Sequence, residues 1–566
     1  MADEFDVIVV GSGMSGGWAA KEFTEKGMKT LVIERGRHVE HQTDYVGEGL
    51  GPWEMKFRDK VNRKTADSNH EIQQKCYAFL ESTKQFFVDD KEYPYSQEDG
   101  KPFSWIRGHH LGGRSLTWHR QSYRLGDLDF GANKRDGQGI DWPIRYKDME
   151  KWYDHVEIFA GITGNNDGLS QLPDGKFQPP MELNCVEKDI KARMEELYED
   201  RRLIIGRAAH LTQPTEEQLA LGRGTCQNRN QCQRGCSFGA YFSSQSATLP
   251  AANNTGNLTI VTDTIVHSLE YDPDTGKASG VRTIDAKTKE KKTYTAKVIF
   301  MCASTLGTTQ ILLNSTSETF QNGFANGSGA LGHYLMDHLY AQGASGEFPG
   351  HEDKYYIGRR ATGIYIPRFQ NLDGRKEKYY RGFGFQGGAS RRGWKDKLGD
   401  KGFGADFKES FNKPGPWTFN IAGFGEMMPD YNNKVTLHKT KVDQWGIPQL
   451  HIDCSYGDND WTMRREIVDV SVKMLKDIGL KNVTGYLDED ANPGIGIHEM
   501  GTARMGRDPK TSVLNAHNQC HDVDNVFVTD GSCMTSSACQ NPSLTYMAIT
   551  ARAVDYAVTQ MKASTL

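Results

Sequence analysis

Two stretches of this chain combine residue types and spacings that do chemistry. The first, VIVVGSGMSGG, sets Gly11, Gly13 and Gly16 in a G-x-G-x-x-G pattern, directly after an apolar β-branched run and at the opening of a helix-like segment. Such a loop needs a tight turn at its first glycine, bare backbone at its second where a pyrophosphate approaches, and close helix-to-strand packing at its third. The phosphate oxygens then meet the unpaired N–H groups of a helix N-terminus. Glu34 closes the next strand-like run, about twenty residues on, where an acid accepts hydrogen bonds from the ribose hydroxyls of an adenosine. An acid there argues against a 2′-phosphate, hence against NADP, and leaves FAD and NAD. The second stretch, TCQNRNQCQRGCSFG, spaces Cys226, Cys232 and Cys236 as C-x5-C-x3-C. Structural zinc takes four protein ligands and usually a C-x2-C pair, which is absent. A disulfide with one free thiol is disfavoured in a chain that folds in the cytosol. Three thiolates would also suit an iron–sulfur cluster lacking one iron, or a cubane with a fourth ligand from elsewhere. Spacing alone leaves these readings open. The other seven cysteines lie among apolar or turn neighbours and read as buried or free thiols.

The elements that must position these groups follow from pattern. Phe5 to Val10, the glycine loop, a helix from Trp18 to Lys26 and a strand from Thr30 to Glu34 make a βαβ start. Residues from about 40 to 100 are polar and irregular and read as an excursion over the surface. A glycine-dense segment, GHHLGGRSLTWH, follows at 108–119. Residues 143–201 read as mostly helical, with spaced apolar positions in Met149 to Phe159 and Val186 to Leu197, and strand patterns return at Leu258 to Leu269 and Thr293 to Met301. From about 335 to 490 the sequence changes to one rich in aromatics, with the pairs Tyr355 and Tyr356, Tyr379 and Tyr380, and the isolated Trp394 and Trp417. This reads as a second, antiparallel domain whose aromatics are core more often than sugar-stacking platforms. A strand from Asn525 to Thr529 and a helix from about Leu544 to Gln560 close the chain.

Composition narrows the classes. A chain of 566 residues is too long for one ordinary core. Its 68 basic and 73 acidic side chains leave a net charge of -5, which gives no electrostatic reason to expect nucleic acid or an anionic membrane. The longest apolar runs, Val7 to Val10 and Val298 to Ala303, fall far below the ~18 residues of a membrane span. The opening MADEF lacks the basic segment and apolar stretch of a secretory signal. Sixty glycines without a three-residue period exclude collagen and simple disorder.

Five ordered segments then make the sequence resemble the glucose-methanol-choline oxidoreductases over nearly its whole length. They are GSGMSGG with Glu34, LGGRSLTWH, VIFMCASTLGTTQILLNS, NNKVTLHKTKVDQWGIP, and the C-terminal pair HEMGTARMG and VTDGS with NPSLT. The HEMGTARMG form and the three-cysteine segment look most like the bacterial FAD-dependent sugar dehydrogenases acting on glucose, gluconate, fructose and especially glucosides at C3. The resemblance implies an α/β fold with a Rossmann-type FAD-binding domain over 1–334, which carries the excursion, the helical insertion and the three-cysteine segment at 222–248. A mainly antiparallel α+β substrate domain follows over 335–494, and 495–566 returns to the first domain with the catalytic pair.

The same resemblance implies FAD held by the N-terminal loop, by Gly112 and Gly113, and by the segment of Asp530, which by itself would read as an Asp-Gly turn. Thr117 stands where some relatives tether flavin to a histidine, with His119 two residues later, so FAD is expected to be noncovalent. Oxidising a sugar hydroxyl requires a base with a pKa near working pH, a role that suits histidine. The resemblance assigns that role to His498, with Asn541 orienting the hydroxyl and stabilising the developing alkoxide. It also raises a 3Fe-4S cluster above zinc at Cys226, Cys232 and Cys236. A cluster would be a one-electron exit to a cytochrome or quinone, which implies a dehydrogenase rather than an oxygen-using oxidase. The expected substrate is a sugar or glycoside, oxidised at C3 of a glucoside or, as runner-up, at C1 or C2 of glucose or gluconate; an inert FAD-binding subunit is the contrasting reading. Relatives of this kind suggest a small signal-bearing partner subunit that carries the folded chain to the periplasm, with cytoplasmic residence as the simple alternative.

Overall fold

The structure is a computed structural model and describes residues 5–51, 53–355, 362–393 and 401–566. Tyr356 and Trp394 lie outside the described residues. The N-terminal run Phe5–Val10 is a buried strand with parallel neighbours on both sides, Thr30–Ile33 and Lys291–Met301. Leu258–Val261 extends the sheet beyond Thr30–Ile33, also in parallel. Near-continuous Val and Ile in these strands follows from burial on both faces. Lys291–Met301 changes character along its length. Its first half is exposed and pairs antiparallel with Lys277–Asp285, which pairs in turn with Thr264–Asp272. Its last residues are buried and accept Val526–Val528 as another parallel neighbour.

The helix after the glycine loop begins at Met14, four residues before the apolar pattern starts. Gly16 and Gly17 weaken the helical pattern of the first turn, yet the loop places that turn directly at the strand end. Its apolar face meets the C-terminal helix Ser543–Lys562, which also covers Tyr146–Ala160. The region 143–201 resolves into two helices, Tyr146–Ala160 and Cys185–Leu197, joined by an irregular stretch.

The second sheet is antiparallel, in the order Lys481–Leu487, Gln342–Phe348, Trp417–Glu426, Phe383–Arg391, Ile364–Ile366, Ile204–Ile205, with His338–Leu339 added beside Trp417–Glu426. Helix Asp458–Asp477 packs across it. Tyr379 and Trp417 are buried in its core, while Tyr355 is exposed. A three-stranded sheet joins Lys434–Val442 and Pro448–Asp453 to Ser96–Gln97. The region from about 40 to 100 is more than a surface excursion. It has few regular elements, but Val39, Tyr45, Phe79, Phe86 and Phe87 bury a core of their own against Ile106 and Leu116. Irregular spacing hid these positions, because turns rather than a periodic element bring them inward. Among the described residues no helix is long and apolar enough to cross a membrane.

A buried ion cluster fastens the helical insertion. Arg124 donates to both carboxylate oxygens of Glu157, at 2.8 and 2.6 Å, to Asp154 at 2.5 Å and to the Tyr146 hydroxyl at 2.8 Å. Both Arg124 and Glu157 are buried. Removing one partner of such a pair strands a charge at a cost of about 3–5 kcal/mol, whereas an apolar pair in its place is often tolerated. Arg124→Met is therefore expected to lower the denaturation midpoint strongly, and adding Glu157→Leu to recover much of the loss. A double-mutant cycle in denaturant measures both.

Candidate active site

The glycine loop shows why its three glycines are there. Gly11 has φ +93°, and a Cβ on it would lie 2.5 Å from the Cys302 carbonyl oxygen. A Cβ on Gly16 would lie 1.9 Å from the Gly11 carbonyl oxygen, so the helix can close on the strand only without one. At Gly13 nothing comes nearer than the Gly112 carbonyl oxygen at 4.0 Å, which leaves the backbone open to a phosphate. The Gly112 N–H donates to Ser12 Oγ at 2.8 Å, and Ser12 Oγ donates to Glu34 Oε2 at 2.6 Å. Glu34 also accepts from the Ser12 and Gly36 backbone N–H groups. Burial pushes its pKa upward. A carboxylate has roughly four lone-pair sites, so some capacity remains for a diol. The first of these bonds ties Gly112 to the first loop, and a Cβ on Gly113 would lie 3.5 Å from Gly13 Cα.

Asp530 lies at the end of Val526–Val528 and borders the same cavity. Its oxygens accept from the Ser532 N–H and hydroxyl and from the Thr308 hydroxyl. Asp530 thus caps the short turn Gly531–Cys533, whose first residue also lines the cavity.

From this cradle one continuous cavity of about 630 Å³ runs to His498, Asn541 and Gln386. Its volume falls within the ~300–1,000 Å³ usual for cofactor and ligand sites. At its far end His498 Nε2 lies 3.4 Å from Asn541 Nδ2, and Asn541 Oδ1 accepts from Gln386 Nε2 at 2.5 Å. Gln386 thus turns the Asn541 amide so that its N–H group, not its oxygen, faces His498. Burial, and then the neighbouring His338 and Arg114, hold the His498 pKa well below its ordinary value.

The loop carrying His498 is fixed through its backbone. Asp337 accepts from the N–H groups of Gly494 and Gly496 at 2.7 and 2.9 Å and from that of His498 at 3.0 Å. Ile497, a β-branched residue, is held at φ +59°, a strained conformation that its surroundings must enforce. Next to the base, Glu499 forms a two-pronged pair with Arg114 at 2.8 and 3.2 Å. Sequence reasoning missed Asp337, His338, Gln386, Arg114 and Glu499. Arg114 and Glu499 sit inside the motifs LGGRSLTWH and HEMGTARMG, where their charges were a usable signal.

Cys226, Cys232 and Cys236 are free thiols. Among the described residues no three His, Cys, Asp or Glu side chains are placed to hold a metal ion. Asn228 and Asn230 turn the segment through left-handed backbone, Cys226 Sγ lies 3.9 Å from Asn228 Oδ1, and Cys232 Sγ lies 3.6 Å from His210 Nε2. Burial raises the pKa of Cys226 to about 11 and also raises that of Cys232. A metal bound here would displace their protons, because ligation needs thiolates. Cys232 borders the cavity.

A Rossmann-type cradle and a His–Asn pair lining one cavity define a dinucleotide-dependent oxidoreductase. Two family models described as GMC oxidoreductase match residues 5–340 and 429–550, and the chain belongs to that FAD-binding family. It is 27% identical to the 2-methyl-1,2-propanediol dehydrogenase of Mycolicibacterium austroafricanum, over 98% of this chain and 95% of that protein. It is 24% identical to the fructose dehydrogenase large subunit of Gluconobacter japonicus, over 98% of each. A solved structure of pyridoxine 4-oxidase from Mesorbium loti superposes with a TM-score of 0.60 at 15% identity, over 98% of this chain and 99% of that one, which shows the shared fold.

Gly16→Val is expected to abolish flavin binding while the second sheet still folds. The check is loss of the flavin's visible absorbance from purified protein with near-native far-ultraviolet circular dichroism.

Proposed function

We propose that this chain oxidises a secondary hydroxyl of a sugar or glycoside to a ketone, at C3 of a glucoside in the favoured case. The observation that carries this reading is the pairing of His498 Nε2 with the Asn541 amide at the end of the cavity. Bound FAD supplies the acceptor for the hydride that leaves the carbinol carbon. A hydroxyl seated between the two side chains can donate its proton to His498 Nε2 and accept from Asn541 Nδ2, so one atom is deprotonated and stabilised at once. Gln386 keeps Asn541 in its donor orientation, and Asp337 holds the His498 backbone while the ring takes up the proton. Gln386, Ser390 and Asn420 line the cavity from the antiparallel sheet and suit further hydroxyls of a polyol. The names of the curated relatives, dehydrogenases of a diol and of fructose, support a hydroxylated substrate. C3 rests on the sequence resemblance, with C1 or C2 of glucose or gluconate as the alternative. A substrate panel with an artificial electron acceptor, followed by NMR of the product, locates the carbonyl.

His498→Ala is expected to lower turnover by roughly 10²–10⁴-fold, the usual share of general acid–base catalysis, with flavin retained. Retention of most activity would overturn the reading. The base works neutral, and burial, with His338 and then Arg114 nearby, holds its pKa down. The acidic limb of kcat/KM is therefore expected below pH 6.5, and a pH–rate profile reads it directly. The contrasting reading, an inert flavin subunit, predicts that no sugar bleaches the flavin.

The resemblance of the three-cysteine segment to those of sugar dehydrogenases, with Cys232 bordering the cavity, supports a dehydrogenase that would pass single electrons through an iron–sulfur cluster to an external acceptor, with FAD bound noncovalently. Iron and acid-labile sulfide in the purified protein, slow peroxide formation in air and flavin released by acid are the expected results. Absence of iron together with rapid peroxide formation would sink the cluster, and flavin that precipitates with the protein would refute noncovalent binding.

A further inference from the structure

His338 touches both loops that carry the catalytic pair. It lies on the short strand His338–Leu339 of the antiparallel sheet and is completely buried. Its Nε2 lies 3.2 Å from the Ser537 carbonyl oxygen, in the loop leading to Asn541, and its Nδ1 lies 2.8 Å from Nδ1 of His498. A neutral imidazole has one N–H and one lone pair. A carbonyl oxygen can only accept, so the hydrogen of His338 must sit on Nε2, which leaves Nδ1 as a lone pair. That lone pair can meet His498 Nδ1 at 2.8 Å only if His498 carries its hydrogen there. Nε2 of His498 is then the unprotonated nitrogen, and it is the one that faces Asn541 and the cavity. The reverse order would set two lone pairs against each other at the Ser537 carbonyl.

We infer that His338 is a positioning residue that selects the tautomer of His498, so that the cavity-facing nitrogen is the free base. The inference rests on His498 being the base in the proposed reaction. When the substrate O–H bond breaks toward Nε2, His498 becomes an imidazolium, and its Nδ1–H is already donated to His338. No proton leaves His498 at that step. A protonated His338 would have donors on both nitrogens and would force the hydrogen of His498 onto Nε2, which removes the base. Burial keeps His338 neutral by holding its pKa down to about 4.

The test separates donor–acceptor chemistry from packing. His338→Gln keeps one N–H for Ser537 and one oxygen to accept from His498, and is expected to retain turnover within a few-fold. His338→Phe fills the space without either group, and is expected to lower kcat by roughly 10–100-fold, the usual effect of removing a partner that orients a functional histidine, with KM and flavin absorbance unchanged. Neutron diffraction from the oxidised holoenzyme needs no variant, and is expected to show deuterium on Nδ1 of His498 and Nε2 of His338. Deuterium on Nε2 of His498, full activity of His338→Phe, or an inactive but folded His338→Gln would each overturn the inference. If His498→Ala stays active, the base assignment itself fails. If His498→Ala is inactive while His338→Phe keeps full activity, only the tautomer role fails.

Discussion

Asp337 accepts three backbone N–H groups from the loop that ends in His498, and the working geometry of the cavity hangs on that contact. Burying a carboxylate costs several kcal/mol unless it is paired or hydrogen-bonded, and each charge-assisted bond returns about 1.5–3 kcal/mol. The balance is close, since burial and the nearby Glu499 push the pKa of Asp337 up to about 7. The contact pins the loop of the base to the segment just before the short strand His338–Leu339 of the antiparallel sheet. Strain at Ile497 is sustained because the bonds on both sides of it leave the backbone no other path.

The dinucleotide cradle was legible in the sequence because each of its requirements is local. A turn at Gly11, an open Gly13 and contact at Gly16 are read within a few residues, and Glu34 follows at a spacing set by one helix. His498 and Asn541 could be named from motif resemblance alone, since seventeen histidines give no local reason to prefer one. The groups that make the pair work were not legible. His338 and Gln386 come from distant strands, and their value lies in which atom they face, a property of tertiary contact that no periodicity encodes. The region 40–100 was underestimated for a related reason, since its inward residues are gathered by turns.

The three-cysteine segment is fastened to that same region by ion pairs. Arg234 pairs with Asp59 at 2.9 Å, and Arg229 pairs with Glu48, which also accepts from Ser237. These contacts fix the segment as a wall between the cavity and the outer surface. They also account for why spacing alone was ambiguous: the neighbours that set thiol chemistry, such as His210 beside Cys232, are remote in sequence.

The late strand Val526–Val528 adds to Lys291–Met301 beside the first strand of the chain, and the last helix packs on the helix that follows the glycine loop. The glycine-loop strand and helix thus lie far in sequence from the strand and helix that pack behind them. One cavity wall is therefore assembled from segments at opposite ends of the sequence, Gly11 and Gly13 with Asp530 and Asn541, so the site depends on long-range closure of the chain rather than on any local unit.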